Sequence, residues 1–157
     1  MNQSEPGRAP GLTASAAASA VWRRRAGELA LACAGSFPSE EPQRLHELRR
    51  LIAEAPVAGL VRGLAMISAE RIDQLIAADA SAEAALAMLG PECGYLISRG
   101  AGGQHLASVI LPGTCEESSA SGETLALALI GALGLALVES DVKAVEGRPA
   151  VRDLRLN

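Results

Sequence analysis

The stretch Leu125-Ala-Leu-Ala-Leu-Ile-Gly-Ala-Leu-Gly-Leu-Ala-Leu-Val138 decides how this chain is read, because it is apolar on every side. A helix of that kind belongs in a protein core, an interface or lipid. Lipid fits worst: the run is shorter than the about 20 residues that span a bilayer, and Glu123 and Glu139 bound it. Read every fourth residue, it separates into a Leu ridge (Leu125, Leu129, Leu133, Leu137) and a small ridge (Thr124, Ala128, Ala132, Ala136, Ser140). A small ridge with Gly131 beside it lets a neighbouring backbone approach closely, while the Leu ridge fills the space alongside. Ser121 is the expected cap, with Glu123 in the first turn where the helix dipole favours it.

Upstream, the periodicity is helical in short pieces. Ser39 with Glu40 and Glu41 opens a helix whose Leu45, Leu48, Leu51 and Ile52 recur on one face. Val57, Leu60, Val61 and Leu64 continue the spacing, against the helix cost of Gly59 and Gly63. Ser68 caps a helix at 69–78 and Ser81 another through Leu89, before Gly90-Pro91 closes the helical half.

The period then changes to two. Gly94-Tyr-Leu-Ile-Ser-Arg99 and His105-Leu-Ala-Ser-Val-Ile-Leu111 flank the glycine-rich Gly100-Ala-Gly-Gly103, which predicts an antiparallel β-hairpin. A loop centred on those four residues sets Ser98 opposite His105, Leu96 opposite Ala107 and Cys93 opposite Ile110. Both hairpin faces carry apolar side chains, so the pair is expected inside a larger sheet or under helices. Residues 114–122 read as a polar connection, and Val151 to Leu156 as an edge strand with Arg152, Asp153 and Arg155.

These pieces predict an α+β fold: short N-terminal helices, a central hairpin or small sheet, and a long buried apolar helix near the C-terminus. Residues 39–157 are expected to form one α+β domain. Residues 1–38 are expected to be a flexible tail in which a weakly amphipathic helix can form from Ala14 to Ala32, its partner unknown. Pro6, Gly7, Pro10 and Gly11 among polar residues leave the first stretch too little apolar surface to offset ordering.

Composition narrows the functions. Apolar residues make up 49% of the chain, yet Trp22, Phe37 and Tyr95 are its only aromatics, which disfavours stacked-base recognition. Arg8, Arg23, Arg24 and Arg25 tilt residues 1–38 positive, whereas no Lys or Arg lies between Arg99 and Lys143. Glu116, Glu117, Glu123, Glu139 and Asp141 accumulate there, a field that repels phosphate backbones. Cys33, Cys93 and Cys115 are odd in number and without CxxC spacing, as suits reduced thiols in a cytoplasm. Arg23 to Arg25 ahead of Leu31-Ala32-Cys33 imitate a lipoprotein signal, but Glu28 interrupts an apolar stretch that is already short for one.

Candidate chemistry is sparse. A cross-strand Ser98 and His105 could act as nucleophile and base, without an acid to orient the His. Cys115 precedes the long helix, but Glu116 and Glu117 adjoin it and oppose thiolate formation. Residues 118–124 open a helix with small side chains, yet no GxxxxGK[ST] or GxGxxG is present, and the acidic residues lack EF-hand spacing. No cofactor or metal is therefore expected. Two helices followed by a hairpin give the order of a winged helix, but residues 82–89 hold no Arg, Lys, Asn or Gln to read bases. The expectation is a non-enzymatic cytoplasmic interaction or regulatory module that self-associates, most simply as a dimer, through Ala128, Gly131, Ala132 and Ala136. A winged-helix DNA-binding regulator and a small hydrolase using Ser98 and His105 or the Cys115 thiol are the alternatives.

Overall fold

The computed structural model describes residues 10–140. The fold is α+β, with the elements in the order α1 (Pro10–Gly35), α2 (Glu41–Ala53), α3 (Ala69–Ala77), α4 (Ser81–Ala87), β1 (Gly94–Arg99), β2 (His105–Ile110), β3 (Ser118–Gly122) and α5 (Leu125–Glu139). The strands form one antiparallel sheet in the order β1-β2-β3. The strand read at Val151 to Leu156 lies outside the described residues, as do residues 1–9 of the expected tail.

Helix α5 begins and ends close to where its apolar run does, and eleven of its residues are buried. Its cap is Thr124, whose Oγ1 accepts a hydrogen bond from the Leu127 N–H at 3.2 Å, and not Ser121, which lies in β3. The small ridge is covered by the chain's own elements. A Cβ on Gly134 would stand 2.9 Å from the Ala26 carbonyl oxygen of α1, and one on Gly131 would stand 3.0 Å from the Ala120 Cβ of β3.

That packing corrects the reading of the N-terminal region. The described part of residues 1–38 is mostly helix, and it lies against α5. Trp22, Ala26, Leu29, Ala30 and Cys33 are buried, a stripe at helical spacing. The stripe is weak in sequence because three of its five members are small. Trp22 also donates its indole N–H to the Leu51 carbonyl of α2 at 2.8 Å, and Arg23 donates to the Ser140 carbonyl past the end of α5 at 2.6 Å. These contacts tie the helix at both of its flanks.

Helix α2 buries Leu45, Leu48, Leu51 and Ile52 as its periodicity requires. Its start differs from the expectation: a one-turn 3-10 helix, Pro38–Glu40, absorbs Ser39, and the α-helix begins after Glu40. Residues 58–61 make another 3-10 turn that buries Leu60, and Gly63 ends it at φ +81°, a conformation that favours glycine. The helical spacing read at 57–64 thus closes within one turn. Ser68 caps α3 through Arg71 N–H, as expected, whereas α4 starts at Ser81 with Ala80 as its cap.

The hairpin strands stand where alternation placed them, but one residue out of the expected register. Gly100 N–H bonds the Gln104 carbonyl at 2.9 Å and Gly103 N–H the Gly100 carbonyl at 3.0 Å, with Gly103 at φ +85°. The loop therefore contains three residues, 101–103, in the form of a turn followed by a left-handed glycine. Arg99 faces His105, Ser98 faces Leu106 and Ile97 faces Ala107. Beyond β2, part of the expected polar connection is the strand β3, paired from Ser118↔Val109 to Gly122↔His105.

Candidate functional site

The one-residue shift separates the expected catalytic pair. Strand side chains alternate between faces, so Ser98 lies with Leu96 and Leu106 on the side away from α5. His105 shares the other face with Ala107 and Val109, which are fully buried. Ser98 and His105 therefore point to opposite sides of the sheet, and the nucleophile–base reading fails on geometry.

Cys115 is exposed in the loop before β3, so an entire strand separates it from the N-terminus of α5. Cys33 is buried and Cys93 half-buried. Burial pushes Cys33 up to about 12, and burial also raises Cys93, whose Sγ lies 3.2 Å from the Gly63 carbonyl it donates to. All three are unpaired. The expected interface residues Ala128, Gly131, Ala132 and Ala136 are buried within this chain. At Gly131 both β3 and α1 come close to α5, so the close approach this ridge allows has an intramolecular partner.

Helix α4 buries Ala84 and Ala85 and turns Glu83 and Ala87 outward. Its solvent side thus presents a carboxylate and a methyl group, neither of which donates to a base edge. A groove of about 300 Å³ runs between α1 and α2, lined by Arg25, Glu28, Arg44, Glu47 and Arg50 among others. Arg44 bonds Glu47 at 2.9 Å, Glu40 at 3.2 Å and Ser36 Oγ at 2.9 Å, and Arg25 bonds Glu54 at 2.8 Å. Burial works against the Glu47 carboxylate, but hydrogen bonds from Gln43 and Arg44 outweigh it and hold its pKa below the ordinary value. Arg44 and Arg25 are thus held by acids of α2 and of its two flanks. Among the described residues, no group of three His, Cys, Asp or Glu could hold a metal ion, and no helix is long and apolar enough to cross a membrane.

The feature without an internal explanation is β1. Helix α5 packs over β2 and β3, leaving β1 beyond its flank. Tyr95 and Ile97 on the α5 side of the sheet are 55% and 37% exposed, and Leu96 on the other side is 60% exposed. Leu106 and Ile110 of β2 continue this apolar surface on the outer face at 41% and 37%. Around them lie Ser98, Ser108, Ser119 and Ser121, with Ser108 and Ser119 joined at 2.7 Å. Among the described residues, no strand side chain of the outer face carries a charge.

The long edge of β1 is open as well: among the described residues, no strand pairs with it. Antiparallel pairs alternate between hydrogen-bonded and non-hydrogen-bonded positions. The Gly100 bond to Gln104 makes that pair a bonded one, so Ser98, Leu96 and Gly94 turn their backbone groups toward β2. Tyr95, Ile97 and Arg99 turn theirs outward. Edge strands are commonly guarded by Lys, Pro, bulges or inward charges. Between Gly94 and Ser98, β1 has none of these.

Apolar residues on both hairpin faces place the pair inside a larger sheet or under helices, and the sheet does extend past β2 to β3 with α5 against it, but not past β1. Enclosure requires a neighbour at each edge, and pairing across an edge is decided by topology. Comparison with known protein families, characterised proteins and solved structures finds no match for this chain, so its function rests on the arrangement of its own residues.

Proposed function

We propose that the chain is a non-enzymatic protein-interaction module that binds an extended segment by strand addition along β1. The observation that carries this reading is the outward backbone of Tyr95, Ile97 and Arg99, flanked by half-exposed Tyr95, Leu96 and Ile97. In strand addition, main-chain hydrogen bonds contribute affinity and alternate side chains contribute specificity. The uncharged outer face would let an incoming strand extend the Leu96, Leu106 and Ile110 surface at no cost of burying charge. The unpaired cysteines support a reducing compartment, of which the cytoplasm is the simplest.

The test is an amide NMR titration, at low micromolar chain concentration, with short extended peptides including a copy of residues 92–99. Saturable shifts centred on the amides of Tyr95, Ile97 and Arg99 are expected. A peptide with Pro at the position of Ile97 should bind less well, because it lacks one ladder donor. Unmoved β1 amides throughout the series would remove the reading.

A further inference from the structure

We draw no further inference here: the strongest candidate, the open edge of β1 at Tyr95, Ile97 and Arg99 with the uncharged outer sheet face beside it, already carries the proposed function, and nothing in the structure shows what covers it.

Discussion

Gly131 of α5 and Ala120 of β3 stand so close that a Cβ built on the glycine would lie 3.0 Å from the alanine's own. Along the same helix, a Cβ built on Gly134 would lie 2.9 Å from the Ala26 backbone oxygen and 3.1 Å from the Ala30 Cβ of α1. The two glycines, one turn apart on one face of α5, thus set how closely β3 and α1 approach it. Each costs about 1 kcal/mol of helix propensity relative to Ala, and the contacts show what opposes removing them.

Gly134→Ala should destabilise the protein despite the better helix former, because the obstructing atom is a backbone oxygen that moves only with its helix. Overpacking costs about 1 to 3 kcal/mol, so a net loss near 1 kcal/mol is expected in urea unfolding. Gly131→Ala should also destabilise, and Ala120→Gly added to it should recover part of that loss. A double mutant no better than the sum of the single changes would deny that this contact limits the approach.

Trp22 reports whether α1 belongs to the cooperative structure. As the sole tryptophan, buried and bonded to the Leu51 carbonyl, it should emit at short wavelength, and its unfolding transition should coincide with that of far-ultraviolet circular dichroism. Trp22→Phe leaves the carbonyl unpaired and should cost about 1 to 3 kcal/mol. An early, separate fluorescence transition would mean that α1 detaches on its own.

Helix α5 should be sensitive at Thr124 and indifferent at Ser121 as a cap. Thr124→Ala removes the acceptor for the Leu127 N–H and should cost about 1 kcal/mol in thermal or urea unfolding, while Thr124→Ser should be nearly neutral. An equal loss in Ser121→Ala would favour the cap expected from sequence.

The cysteines should react in the order of their enclosure. Cys115 is exposed and should react first with a disulfide reagent at pH 8, Cys93 more slowly, and Cys33 only on unfolding. Burial raises the folded Cys33 pKa from 9.0 to about 12, so the folded state holds this proton more tightly than the unfolded state does. Its contribution is complete below the unfolded value and is lost as pH rises from 9.0 toward about 12. Cys33→Ala should flatten the stability profile across that window, and an unchanged slope would count against burial of the thiol.

What the sequence determined by itself were the elements whose signal is local. Helix α5 announces itself by an uninterrupted apolar run, α2 by Leu45, Leu48, Leu51 and Ile52, α3 by the Ser68 cap, and the hairpin by alternation around glycines. Tertiary structure decided the rest. Strand β3 is Ser-Ser-Ala-Ser-Gly, with no large side chain to mark it, and it becomes a strand because β2 supplies its hydrogen bonds and α5 needs small residues beneath it. Helix α1 buries mostly alanine and cysteine, so its stripe has little contrast until α5 lies against it. The hairpin register turned on whether the loop held three residues or four, a difference of one hydrogen bond that moved Ser98 and His105 to opposite faces. The open edge of β1 was least legible of all, since alternation tells which way a side chain points, while only the assembled sheet tells whether a neighbour lies alongside.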